Sequence, residues 1–407
     1  MVKPLITVSA SDVAALMKAL RVALAGGPAV WPVPGSAGAR AASTPQRGGG
    51  GEGEGERAGA GGLEVDDGIA LVVETSGSTD TPKRVLLTAE ALRASAAATE
   101  AALGGPGQWL LALPAHYIAG AQVLVRSIMA GTEPVVLEGE HFDPVAFAAE
   151  SARLDRRRPR YTSLVPVQLS RLVDAAKTDA HVSEALHSFD RILLGGQAAP
   201  PSLIVAADLL GARVTRTYGS SETSGGCVYD GRPLDGAAVR ITDDGGVELS
   251  GPMLADGYLG DPARTAAAFA TDADGTRWYR TGDLGELTHD GTLRIRGRAD
   301  DVIISGGLKV ALGEVERAVR SVLGFGEAIV VRVSDPEWGE RPAVVAPNTA
   351  AAAASDALGT LARATDAAGL TPAARPVRLE LVDRMPLLAS GKPDRRALEA
   401  RLRGGGA

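Results

Sequence analysis

The sequence predicts an α/β protein: a large N-terminal α/β domain carrying a mainly β subdomain, followed by a small C-terminal α+β domain. Three observations predict it. Short apolar runs alternate with helix-spaced stretches, the pattern shortens to brief strands with Gly or Asp turns after Tyr218, and a separate set of strands and helices follows RIRGRADD. The 407 residues leave room for more than one hydrophobic core. Hydrophobic and charged fractions of 45% and 22% are those of ordinary globular proteins, which argues against wholesale disorder.

Ser11 and Asp12 read as a helix start, because Val13, Leu16, Met17 and Leu20 then share one helical face. Residues 34–62 are Gly-, Ala- and Ser-rich, have little to bury, and read as a flexible low-complexity insert. The runs GIALVVET, QWLLALP, TEPVVLE, RYTSLVP and DRILLGG read as strands, and AEALRASAAATEAALG as a helix. In VRITDDGGVELSGP the DDGG tetrad marks a hairpin turn. The last part presents IVVRVSD, PAVVAP, an Ala-rich helix, RLELVD and a basic helix. These place a hinge at 298–301, between a domain at 1–297 and one at 302–407.

Composition excludes several classes of function. A formal charge of −7 with no basic stripe argues against nucleic acid as a partner, and RRRPR at 156–160 reads as a solvated face. No run of eighteen apolar residues occurs, so no membrane span is expected. Ser9, Ser11 and Asp12 interrupt the apolar core that an export signal needs. A single cysteine, Cys227, rules out an intramolecular disulfide and reads as a small buried side chain. A cytoplasmic location is the default expectation.

The stretch ETSGSTDTPKRVLLT, 74–88, packs hydroxyls and glycine around Lys83 between two apolar strands. Closely spaced N–H groups and hydroxyls can wrap an anion, with Lys83 adding a point charge. A Walker loop would open a helix, whereas Pro82 and Lys83 lead into an extended segment. On these residues alone the loop is either a phosphate cradle or a polar turn. TYGSSET, 217–223, sets Glu222 among hydroxyls as a partner for a magnesium ion on phosphates. YRTGDLGEL puts Asp283 in a Gly-flanked turn, either to accept ribose hydroxyls or simply to form the turn.

Taken in order, TSGSTDTPK, LLGG, TYGSSE, YRTGDLG, GRADDVIISGGLKV and SGKPDRRAL span Thr75 to Leu398 and resemble the acyl-adenylate-forming ligases, the superfamily of acyl-CoA synthetases and adenylation domains. The resemblance implies ATP, Mg2+ and coenzyme A as co-substrate, a mobile C-terminal domain, and two half-reactions. A carboxylate first attacks the α-phosphate of ATP, and the coenzyme A thiol then takes the acyl group. Both steps build charge on oxygen, so positive groups and oriented donors are the main demand. Five histidines and one cysteine therefore suffice.

By the same resemblance, Thr75, Ser76, Gly77, Ser78, Thr79 and Lys83 match the loop on the β- and γ-phosphates. Gly195, Gly196 and Gln197 match the segment beside the adenine, with Tyr218 and Gly219 against the base. Ser221 and Glu222 match a phosphate-contacting hydroxyl and the magnesium carboxylate, and Asp283 and Arg298 the ribose contacts. Lys392 matches the lysine that bridges carboxylate and α-phosphate; an ordinary lysine is charged at neutral pH. Asp300 falls at the hinge, Gly306 and Gly307 near coenzyme A, and His116 near the acyl pocket, where a core histidine is the alternative.

LPAHYIAGAQVLVRS and TYGSSETSGGCVYDGRPLDG are most similar to the branch of the superfamily that activates o-succinylbenzoate for menaquinone biosynthesis. That acid keeps a second carboxylate after activation, and Arg126 is its expected partner, a surface arginine being the alternative. Asp80 and Arg84 stand where the superfamily usually has glycine, and Ser221 where it has threonine. Another aryl or fatty acid, a carrier protein as acceptor, or a nucleotide-binding relative without turnover are the competing expectations.

Overall fold

The structure, a computed structural model, describes residues 1–35, 63–75, 82–139, 141–349, 352–388 and 393–404. Most of the low-complexity insert, 36–62, lies outside the described residues. The first helix, Val13–Leu24, begins as the sequence requires: the Asp12 carboxylate accepts from the Ala15 N–H at 2.9 Å, relieving one orphan donor. Its buried residues, Leu16, Met17 and Leu20 among them, pack with Val30, Leu71 and Val73 in one core.

Those core partners belong to a six-stranded sheet ordered Gly257–Tyr258, Lys83–Thr88, Ile69–Thr75, Ala29–Val33, Val2–Ser9 and Glu64–Asp66. Ile69–Thr75 and Lys83–Thr88 form an antiparallel hairpin with Thr75 opposite Lys83, so Lys83 opens a strand and not a helix. A seven-stranded sheet lies beside it. Gln108–Leu111, Arg160–Leu164, Arg191–Leu194 and Val214–Ser220 run parallel through its middle, with helices between them. Near-continuous burial of the first three of these strands is what a parallel sheet covered on both faces demands. Phe147 and Phe189, 5.6 Å apart and fully buried, anchor the helical side.

After residue 225 the pairing turns antiparallel, giving the β subdomain: Ala238–Ile241, Gly246–Ser250, Arg277–Leu287, Phe269–Thr271 and Leu293–Arg298. The expected DDGG hairpin is present, with Gly245 at φ +85°. Asp283 corrects the reading of its segment: it sits inside the strand Arg277–Leu287, not in a turn. Gly282 at φ +74° and a register shift between Leu284 and Gly285 kink that strand, so the glycines aim a strand residue rather than reverse the chain.

From Val302 onward the strands make their own five-stranded sheet with its own apolar clusters. Its helix Leu312–Arg320 meets the preceding body closely. Glu314 pairs with Arg296 at 2.6 Å, Arg317 donates to the Ile295 carbonyl at 2.7 Å, and Arg320 to that of Ala198 at 3.4 Å. A Cβ at Gly313 would lie 2.9 Å from the Gly297 Cα, so glycine permits this backbone contact. Among the described residues no helix is long and apolar enough to cross a membrane.

Candidate active site

The hairpin of Ile69–Thr75 and Lys83–Thr88 divides its two cations between opposite faces, as alternation along a strand requires. Lys83 Nζ lies 5.6 Å from the ring centre of Tyr258, while Arg84 stacks 4.4 Å from that of Trp31 and pairs with Glu74 at 3.1 Å. The Arg84 departure is thus neutralised on the other face. Thr75 and Lys83 stand at the two stems of the turn; Ser76, Gly77, Ser78, Thr79 and Asp80 lie outside the described residues.

Gly195 follows the strand Arg191–Leu194, and a Cβ there would come within 2.5 Å of Thr217 Oγ1. Only glycine lets this turn, with Gly196 and Gln197, lie against Val214–Ser220. Gly219 is tighter still: its Cβ would be 2.2 Å from the Gly225 carbonyl oxygen, at a bulge between Tyr218 and Gly219. The bulge delivers Tyr218, whose hydroxyl donates to Asp283 Oδ2 at 2.6 Å. Arg298 donates to Asp283 Oδ1 at 3.3 Å and to Asp300 Oδ1 at 3.1 Å. Burial pushes the Asp283 carboxyl above its usual range, although Tyr218 and Arg298 both pull it down. Burial, with the Asp283 charge and hydrogen bond added, raises the Tyr218 pKa and keeps its phenol protonated.

A 3-10 turn, Ser221–Thr223, comes next. The Thr223 hydroxyl accepts from the Ser220 N–H at 2.8 Å and donates to the Gly225 carbonyl at 2.7 Å, which fixes the turn. Ser221 and Glu222 are 7% and 6% exposed. Tyr258 donates its hydroxyl to Glu222 Oε1 at 2.8 Å, and no lysine or arginine of the described residues forms an ion pair with this carboxylate. A buried carboxylate without a cation partner suits a metal ion. Since no three His, Cys, Asp or Glu cluster among the described residues, such an ion would draw its other ligands from phosphates and water, the habit of magnesium.

Pro114–Tyr117 turns tightly into the helix Ile118–Met129, where a Cβ at Gly120 would lie 2.4 Å from the Pro114 carbonyl oxygen. His116 is half-buried with its ring 4.2 Å from that of Tyr117, and burial lowers its pKa, favouring neutral imidazole. Arg126, on the same helix, is 6% exposed, so the surface-arginine alternative is corrected. Its guanidinium lies 5.0 Å from the Trp109 ring centre, its Nε has no hydrogen-bond partner, and no carboxylate of the described residues pairs with it. Burial pulls its pKa down, against a smaller upward pull from Tyr229.

Sequence reasoning missed Gln122, Thr99, Tyr229 and Tyr258. Gln122, one turn before Arg126 and fully buried, donates to the Ser224 carbonyl at 2.7 Å, as Ser95 does at 3.0 Å. Thr99 and Tyr229 share a hydrogen bond of 2.9 Å. The signal available for Gln122 was its (i, i+4) spacing with Arg126 in a mostly apolar helix. Cys227 is 2% exposed and burial pushes its thiol up to about 12, so it is no nucleophile.

Gly306 and Gly307, at φ +55° and +79°, form the turn between Val302–Ser305 and Leu308–Ala311, with Trp338 packed under Gly306. Lys392 lies outside the described residues. The chain on either side of it is held together: Leu387 bridges Pro393, and the Asp394 N–H donates to the Pro386 carbonyl at 3.0 Å.

A large α/β body followed by a small α+β unit is the architecture of acyl-CoA synthetase-like adenylating enzymes. The chain belongs to the AMP-binding enzyme family: that family's model matches residues 29–285, and the AMP-binding enzyme C-terminal domain matches 314–392. It is 42% identical over 348 residues to a "Probable 2-succinylbenzoate–CoA ligase" of Mycobacterium tuberculosis, covering 84% of this chain and 87% of the relative. Among solved structures it is similar to the Bacillus subtilis o-succinylbenzoate CoA synthetase (MenE) in complex with the acyl-adenylate intermediate OSB-AMP, with 27% identity, TM-score 0.68, and coverage of 83% of this chain and 70% of that one. The same enzyme in complex with ATP and magnesium ion matches with 27% identity and TM-score 0.69, over 82% and 71%.

Proposed function

We propose that this protein is an ATP-dependent o-succinylbenzoate–CoA ligase of menaquinone biosynthesis. The likeness to the M. tuberculosis and B. subtilis proteins supports the chemistry. The observation that carries the substrate is Arg126, a buried guanidinium that no carboxylate of the described residues meets. Burying an unpaired ion costs several kcal/mol, and a ligand carboxylate is what would offset that cost. A dicarboxylic acid supplies one carboxylate for activation and one for Arg126.

In this reading the adenine lies along Gly195, Gly196 and Gln197 against Tyr218 and Gly219, and the ribose hydroxyls meet Asp283, already oriented by Tyr218 and Arg298. Thr75, the loop to Thr79, Lys83 and Ser221 take the phosphates. Glu222 would hold a magnesium ion, which would supply charge neutralisation on the triphosphate. The substrate carboxylate oxygen forms a bond to the α-phosphorus as the bond to pyrophosphate breaks, and Lys392 bridges the two reacting groups. The C-terminal unit then turns about 298–301, at Asp300, and brings Gly306 and Gly307 to the site. The coenzyme A sulfur, having lost its proton, attacks the acyl carbon and AMP departs. Neutral His116 lines the acyl pocket, and closure keeps water from the adenylate.

The full chain with ATP, Mg2+, coenzyme A and o-succinylbenzoate is expected to yield the acyl-CoA, AMP and pyrophosphate in equal amounts, read by mass spectrometry. An acyl-AMP that accumulates and never passes to coenzyme A would instead favour another acceptor, such as a carrier protein.

A further inference from the structure

We propose that Tyr258 is the positioning residue of the triphosphate half of the site: its hydroxyl orients the Glu222 carboxylate and its ring face steers Lys83, so that one side chain sets the spacing of the two. This rests on the nucleotide-binding reading above. Nothing in the sequence around Tyr258 signals such a role; the geometry does.

Tyr258 lies in a strap tied on both sides. The Ala255 N–H donates to the Glu222 backbone carbonyl at 2.8 Å, whereas Asp256 and Leu259 donate to the Leu86 and Arg84 carbonyls at 2.9 and 2.8 Å. The short strand Gly257–Tyr258 thereby joins the strand that begins with Lys83 to the turn that carries Glu222. Arg277 fixes the strap from behind through the carbonyls of Ala255 and Asp256, at 2.6 and 2.7 Å. The Tyr258 ring, 5% exposed and 6.2 Å from that of Phe269, has no other place to go.

Each contact has a distinct consequence. A donor on Oε1 fixes the carboxylate rotamer and leaves the other oxygen to face a cation. An ordinary phenol is protonated at neutral pH, so Tyr258 is the donor and the carboxylate the acceptor. The ring face attracts the Lys83 ammonium, 5.6 Å from its centre, without neutralising it as a carboxylate would. Lys83 stays free to meet phosphate oxygens.

The test titrates Mg2+ against a non-hydrolysable ATP analogue by calorimetry, using the full chain, Tyr258→Phe and Tyr258→Leu. Phe keeps the ring and loses the hydroxyl: the Mg2+ midpoint is expected to rise on the order of fivefold to tenfold, with metal-free nucleotide affinity unchanged. Leu loses both contacts, and metal-free affinity is expected to fall as well, by about threefold. A general loss of structure would instead raise the Mg2+ midpoint and lower metal-free affinity in both variants, and overturn the assignment. So would a Tyr258→Phe midpoint within twofold of the parent. If the parent chain itself shows no Mg2+-dependent nucleotide binding, the functional reading falls and Tyr258 with it; if only the variants fail to differ, the functional reading stands and the assignment of Tyr258 alone is lost.

Discussion

Lys392→Ala is expected to slow adenylate formation by roughly 10²- to 10³-fold while ATP binds within a few-fold of the parent affinity. The reason is where charge develops. As the carboxylate joins the α-phosphorus, two anionic groups share a pentavalent centre, and a cation bridging them is worth more there than in the ground state. Lys83 and the hydroxyls of the hairpin turn would hold the β- and γ-phosphates throughout, so binding survives. The measurement is rapid-quench formation of acyl-AMP beside calorimetric ATP affinity. Chemically supplied acyl-AMP should still pass to coenzyme A in the mutant. Equal losses of affinity and rate, or loss of the thioester step as well, would contradict the role.

Arg126→Leu is expected to change stability and activity in opposite directions. Without ligand, the parent buries a guanidinium against Trp109 with an unpartnered Nε, so a leucine of similar reach should raise stability by about 1–3 kcal/mol, read from denaturant midpoints. With ligand, the same change removes the partner of the second carboxylate. Adenylation of o-succinylbenzoate should then fall on the order of 100-fold in kcat/KM, while an analogue lacking that carboxylate loses less than about threefold. A mutant that is less stable and equally poor with both acids would show that Arg126 is only structural.

Much of this was legible in the sequence where local physics dominates. Asp12, with Leu16, Met17 and Leu20, fixes a helix from capping and spacing alone, and the hairpin around Lys83 follows from two apolar runs flanking a polar turn. The glycines at 195 and 219 were placed beside the nucleotide by resemblance alone; their close approach to Thr217 and to the Gly225 carbonyl is a fact of packing that the sequence did not show. What the sequence hid depends on residues distant in the chain. Asp283 read as a turn residue because glycines flank it, yet strand pairing with Leu293–Arg298 overrides that preference. Whether Arg126 is exposed is settled by packing of its helix against Trp109 and the strand Gly225–Tyr229, neither visible in its own neighbours. Tyr258 reaches Glu222 across 36 residues of chain, a separation at which no spacing rule operates.

One cleft is expected to join a triphosphate to an organic acid selected by a second carboxylate. The most direct measurement is ATP–pyrophosphate exchange across a panel of carboxylic acids. Strong exchange with o-succinylbenzoate, and weak exchange with benzoates and fatty acids of one carboxylate, is the predicted outcome. Exchange driven best by a monocarboxylic acid, or by none despite measurable ATP binding, would contradict it.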